Sequence, residues 1–237
     1  MPKLHLLFKK EDLDPSRLNG KVVIVLDVLF ATSTIIHAFG RGVDCIWPAR
    51  DSDDARRIAA QVDSAVLAGE HMGLVTPGFS PAMPLALADA CGEGATLVYA
   101  TTNGTVALND AAAAAHVYVG ALLNGAALVS HVTQAHPQAH VLLVCAGSAD
   151  RFNLEDFYGA GHLAAHFERC GNYALTDAAM AALLMYRGCD VDTALAASRV
   201  GQLIKAHDLQ HEMDCAAQLD THDLVPKLRD GCLRLVA

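Results

Sequence analysis

Charge is scarce in this chain, and positive charge is the scarcer kind. Charged residues make up 18% of 237 positions, with 17 lysines and arginines against 26 aspartates and glutamates, for a net charge of −9. No basic run occurs, which argues against duplex nucleic acid and anionic membrane surfaces as partners. The seven cysteines are odd in number and contain no C-x-x-C pair. Neither a disulfide framework nor a structural zinc finger is expected, and the thiols read as buried residues of a reducing compartment. Also missing are a P-loop, a G-x-S-x-G elbow and an H-E-x-x-H zinc motif, and Gly40-Arg41-Gly42 lacks the third glycine of a dinucleotide fingerprint. Between Asp110 and Asp150 there is no Asp, Glu, Lys or Arg, but Gly120, Asn124, Gly125, His131 and Pro137 interrupt the span. A membrane helix needs about 20 predominantly apolar residues in one stretch. Met1–Leu6 is too short and too mixed for a signal peptide. The expectation is a cytoplasmic protein with no membrane partner.

What is present is apolar patterning. Hydrophobic residues reach 53%, enough for a sizeable core at this length. Lys21–Leu26 (KVVIVL) is a β-branched run suited to a strand buried on both faces. Further strands are expected at Val43–Trp47, Ala65–Ala68, Thr96–Ala100, His116–Val119, Val141–Val144 and Cys232–Val236. Helical spacing is read at Val28–Phe39, Asp51–Val62, Leu85–Cys91, from Thr105, from Leu122, and from Asn153 onward. Three further helices are expected near Asp177–Tyr186, Asp192–Leu203 and Leu209–Gln218, and the Pro- and Gly-rich stretch Gly69–Pro84 is read as a long loop. The fold class that follows is α/β: mixed, largely parallel sheets with flanking helices and a helix-rich C-terminal half. The chain reads as one unit over 1–237, with two closely packed lobes meeting near 130–150 if it divides.

Four expected strands run directly into unusual polar residues. Lys21–Leu26 leads to Asp27 and then Thr32-Ser33-Thr34. Ala65–Ala68 leads to Gly69-Glu70, Thr96–Ala100 to Thr101-Thr102-Asn103-Gly104-Thr105, and Val141–Val144 to Cys145-Ala146-Gly147-Ser148. In open α/β sheets ligands bind beyond the carboxyl ends of the strands, where helix N-termini favour anions. Asp27, Glu70, Glu155 and Asp156 are therefore candidate metal ligands beside a phosphorylated substrate, since Mg²⁺ takes one or two carboxylates and completes its shell with water and phosphate. Asp27 could equally cap the next helix, and Asp156, three residues after Asn153, could close a capping box. The TTNGT run reads equally as an anion site and as an ordinary N-cap. His162/His166 and His207/His211 each stand four apart but lack a convincing third ligand, so they read as exposed or half-buried histidines. Cys145 is a candidate contact or nucleophile; its small apolar neighbours favour a buried thiol.

These stretches resemble the 2-phosphosulfolactate phosphatase family. The matching pieces are VVIVLDVLFATSTI (22–35), GEHMGLVTPGF (69–79), TTNGT (101–105), CAGSADRFNLEDFYGAG (145–161) and CAAQLDTHDLVPKLRDG (215–231), in order over nearly the whole chain. The resemblance implies a two-lobed α/β fold and Mg²⁺-dependent hydrolysis of the phosphate ester of a small 2-hydroxy acid. It implies catalytic roles for Asp27, Glu70 and Asp156 and metal ligation by Asp27, Glu70, Glu155 and Asp156, with Asp27 open as nucleophile or ligand. Substrate contacts are expected at Thr32, Ser33, His71, Thr101, Thr102, Asn103, Gly104 and Cys145. Two departures bear on the substrate: Phe30 and His71 stand where the family usually carries arginine, the residue suited to forked contacts with phosphate, sulfonate and carboxylate. The alternative is a non-catalytic or substrate-shifted relative binding a small anionic metabolite on the same scaffold. A symmetric homodimer is the expected assembly.

Overall fold

The computed structural model describes residues 1–236. The KVVIVL run forms strand β2 (Val22–Leu26), and its alternation divides it between two cores. Val23 and Val25 join one apolar cluster, while Val22, Ile24 and Leu26 join another on the opposite face. Every residue of the strand is buried, which at about 1.5–3 kcal/mol per fully buried aliphatic side chain makes β2 a central support of the molecule.

The expected α/β class holds. Among the described residues, eleven strands share one sheet in the order β5-β4-β6-β3-β11-β10-β7-β2-β8-β1-β9. One parallel block comprises β3 (Cys45–Ala49), β6 (Thr96–Ala100) and β4 (Val66–His71), edged by the antiparallel β5 (Leu74–Val75). The second comprises β7 (His116–Gly120), β2, β8 (Val141–Cys145), β1 (Lys3–Leu7) and β9 (Ala174–Leu175). Between them stands an antiparallel hairpin from the end of the chain, β10 (Pro226–Arg229) and β11 (Cys232–Leu235), pairing with β7 on one side and β3 on the other. Helix α1 (Ala31–Gly40) packs Ile35, Ile36 and Phe39 into a cluster that also holds Val25 of β2 and Leu97 and Tyr99 of β6, so both blocks share that core. On the opposite face lie α5 (Gly125–Ala135), α6 (Leu154–Cys170) and α7 (Asp177–Gly188). Gly161 lets α6 and α7 close together, since a Cβ there would meet the Ala182 carbonyl oxygen at 2.2 Å. Helix α6 ends at Gly171, which adopts φ +71 as a left-handed cap.

Several expectations change. Strands β1 and β10 escape the periodicity reading because each is short and only alternately or partly buried. The loop expected over 69–84 is partly strand: β4 continues to His71, turns at Met72 and Gly73 (φ +53 and +82) and returns as β5. The single helix expected at Asp192–Leu203 is two, α8 (Val191–Ala197) and α9 (Arg199–Ala206), because the Ser198 hydroxyl accepts from Gly201 N–H and starts a new helix. The reading of all cysteines as buried thiols fails at Cys45 and Cys232, joined as a disulfide where β11 meets β3, and at the exposed Cys170. Among the described residues no helix is long and apolar enough to cross a membrane.

Candidate active site

Asp27 follows β2 directly and is buried. Asp156, in the first turn of α6, joins the ends of two strands: its Oδ1 accepts from Val28 N–H at 2.9 Å and its Oδ2 from Gly147 N–H at 3.1 Å. This decides against the capping box, because the carboxylate reaches across to β2 and the loop after β8 instead of back to Asn153. Beside it, Glu155 is 1% exposed, and neither carboxylate oxygen has a hydrogen-bond partner. Burial is the largest influence on all three acids. It pushes Asp27 up to about 7, helped by the charges of Glu70 and Glu155 and opposed by Ala31 N–H and Lys10. Asp156 is raised well above the usual carboxylate range by burial and by Asp27 and Glu155. Glu155 is raised by burial; its own N–H and the Ser198 hydroxyl stand near enough to pull the other way without meeting hydrogen-bond geometry, and Arg199 adds to that pull. Three neighbouring buried acids that resist ionisation invite a cation.

The other parallel block supplies a different wall. Glu70 near the end of β4 accepts from Thr102 N–H at 2.7 Å through Oε1, and from Gly73 N–H at 2.7 Å and the Thr102 hydroxyl at 3.1 Å through Oε2. Thr101 and Thr105 bind each other, the Thr105 N–H donating to Thr101 Oγ1 and the Thr101 N–H to Thr105 Oγ1. Asn103 Oδ1 accepts from Lys10 Nζ at 3.0 Å. Gly104 opens α4 (Gly104–Asp110), and a Cβ on it would lie 2.5 Å from Ala31 Cβ and 2.7 Å from Asp27 Oδ2. The glycine therefore permits the close approach of TTNGT to Asp27 that joins the two walls.

Three expected substrate contacts lie buried. Thr32 and Ser33 are fully buried and turn their hydroxyls back onto the Asp27 and Val28 carbonyls, at 2.9 and 2.8 Å. Cys145 packs within the core on the α6 side, where burial raises its thiol well above the ordinary value. Neither hydroxyl nor thiol is free for a ligand. His71 is exposed at the β4 turn. Phe30 packs against an apolar cluster that includes Val28, Leu29, Tyr158, Leu195 and Met213. Sequence reasoning missed Lys10 and Arg199. Lys10 follows β1 at the same sheet edge, its N–H donating to Ala146 O at 3.3 Å. Recognising KLHLL as a strand would have exposed it by the same strand-end rule. Arg199 donates to Ser148 Oγ and, at 3.3 Å, to Asn153 Oδ1; no local signal in the sequence marks that convergence.

The four expected metal ligands do not close into a ready cage. Among the described residues the set of His, Cys, Asp or Glu whose ligand atoms all lie within 4.8 Å of one another is His162, His166 and Asp220. The unpartnered, hard oxygens of Glu155 beside Asp27 nonetheless fit an ion that takes one or two carboxylates and keeps its waters.

The model of the 2-phosphosulpholactate phosphatase family matches residues 7–231. The chain belongs to this family. Among curated relatives, a protein of Deinococcus radiodurans named probable 2-phosphosulfolactate phosphatase is 35% identical over 223 residues, covering 93% of this chain and 92% of its own. Relatives carrying the same name in Carboxydothermus hydrogenoformans and Symbiobacterium thermophilum are 30% and 32% identical, covering 98% and 90% of this chain and 96% and 94% of theirs. The family resemblance read from the sequence is thereby borne out, and with it the class of enzyme: a phosphatase.

Proposed function

We propose that this protein is a Mg²⁺-dependent phosphatase that hydrolyses the phosphate ester of a small phosphorylated 2-hydroxy acid, with the reaction centred on Asp27, Glu155 and Asp156. The observation that carries the reading is Glu155: a buried carboxylate with both oxygens unpartnered, among acids that burial and mutual repulsion make costly to ionise. Such a group is retained where a ligand completes it. Asp27 and Glu155 would hold the ion, which when bound supplies charge neutralisation and polarisation of the phosphoryl group. Asp156 fixes the ends of β2 and β8 through its two backbone contacts. Asp27 positions the attacking water, or attacks the phosphorus directly with the substrate's alkoxide as leaving group. Lys10 and the Asn103-Gly104 backbone receive the phosphate, while Arg199, Ser148 and Asn153 receive the acid's second anionic group. Glu70 holds Thr102 and the β4 turn in place.

Phe30 and His71 leave the site short of the expected arginines, so the favoured substrate carries fewer anionic groups than phosphosulfolactate. A cytoplasmic symmetric dimer completes the proposal. The test is phosphate release from a panel of phosphorylated hydroxy acids and simple monoesters, with Mg²⁺ and with chelator, in the natural protein and in Glu155→Gln. Turnover that requires the metal and collapses in the variant supports the reading. No metal-dependent turnover on any member overturns it.

A further inference from the structure

Helix α6 carries His162 and His166 one turn apart on one face. The third ligand that the sequence does not reveal arrives from the loop after α10 (Gln210–Ala216): Asp220. Its Oδ1 lies 3.1 Å from His162 Nε2 and its Oδ2 lies 3.0 Å from His166 Nε2. We propose that His162, His166 and Asp220 form a second metal site, a three-ligand site for Zn²⁺ with a fourth position open to water. Ligands held 2.0–2.1 Å from a tetrahedral zinc stand roughly 3.3 Å from one another, so closing this set needs only small movements. Two imidazoles and one carboxylate with an open position suit zinc, and the nitrogen donors make Mg²⁺ a poor occupant.

The surroundings hold the set in place. Asp220 donates its N–H to Leu122 O at 2.9 Å and accepts from Ala126 N–H at 2.7 Å. Gly125 begins α5, and a Cβ there would lie 2.6 Å from His162 Nε2 and 3.2 Å from Asp220 Oδ1. Any larger residue would fill the space where the ligand atoms meet. Arg169 donates to His166 Nδ1 at 2.6 Å. Ligation through Nε2 places the proton on Nδ1, so the exposed Arg169 swings into solvent when the ion binds. His162 follows Glu155 by two helical turns, about 10 Å along α6, so this site is separate from the carboxylate crevice. The ion would tie the loop leading into β10 to both α5 and α6.

The test is calorimetric titration of the whole protein with Zn²⁺ in excess Mg²⁺, which keeps the carboxylate crevice occupied. His166→Ala and Asp220→Asn are compared with the natural protein, because the buried His162 is a riskier position to change. One equivalent bound, with affinity at least ~100-fold weaker in both variants, is expected, since loss of even an outer-shell partner costs 10–100-fold. Zinc at a hundred times its Kd should also raise Tm by about 5–10 °C. X-ray absorption of the zinc-loaded natural protein should show imidazole and oxygen scattering without sulfur. Unchanged affinity in either variant, sulfur in the coordination sphere, or no binding overturns the proposal. Phosphatase activity plays no part in any of these readouts.

Discussion

Glu70 of β4 and Glu155 of α6 carry the same side chain toward Asp27, and their surroundings are opposite. Glu70 accepts three hydrogen bonds from Thr102 and Gly73 and thereby shapes its own wall. Glu155 accepts none and is more deeply buried. A carboxylate with partners is part of the scaffold, whereas a buried one without them costs stability until a ligand arrives. The difference separates structure from chemistry more sharply than residue type does, and it can be broken by substitution.

The largest effect is expected at Glu155→Gln, which preserves shape and loses no hydrogen bond. Metal-dependent kcat/KM should fall by about 10²–10⁴, while the metal-free protein should gain stability because a buried charge is gone. A loss of stability in chemical denaturation would show that the side chain is a structural element after all.

Next comes pH. Asp27 is raised from an ordinary 3.8 to about 7 in the folded protein. The folded state therefore binds this proton more tightly than the unfolded state, and its contribution to stability is complete below about pH 4 and lost as pH rises through 7. Metal-free Tm should drop by about 5 °C or more between pH 5 and pH 8, and Mg²⁺ should restore it at pH 8. A flat metal-free profile would remove the carboxylate cluster as a source of repulsion.

Glu70→Gln should act in the other direction from Glu155→Gln. Its amide cannot accept from both Thr102 N–H and Gly73 N–H, so stability should fall by about 1–2 kcal/mol, with a smaller loss of kcat than at Glu155. Urea titration and steady-state kinetics on the same preparations check both. The smallest effect is expected at Cys145→Ala, which trims a core thiol. Stability should fall by about 1 kcal/mol, and KM should not change; a raised KM would return Cys145 to the substrate.

The carboxylates were legible because each stands at or just beyond a strand's end or opens a helix, and the strand-end rule needs only local periodicity. Thr32, Ser33 and Cys145 satisfy the same rule yet turn inward, because it gives a position along the chain and not the direction of a side chain. Lys10 was missed with its strand: β1 has five residues with alternate burial and His5 at its centre. The paired histidines of α6 were visible at their four-residue spacing. Their partner was not, since Asp220 is separated from them by 54 and 58 positions.

By itself the sequence determined most of the elements and the family: runs such as KVVIVL, and the order of five matching stretches, act through neighbouring residues and survive without knowledge of the fold. Tertiary structure decided which acids have partners, which hydroxyls turn inward, and that the terminal hairpin stands between two parallel blocks. These depend on which distant loops converge on one sheet edge. The energy of a buried charge is set by the atoms around it, and most of those atoms come from elsewhere in the chain.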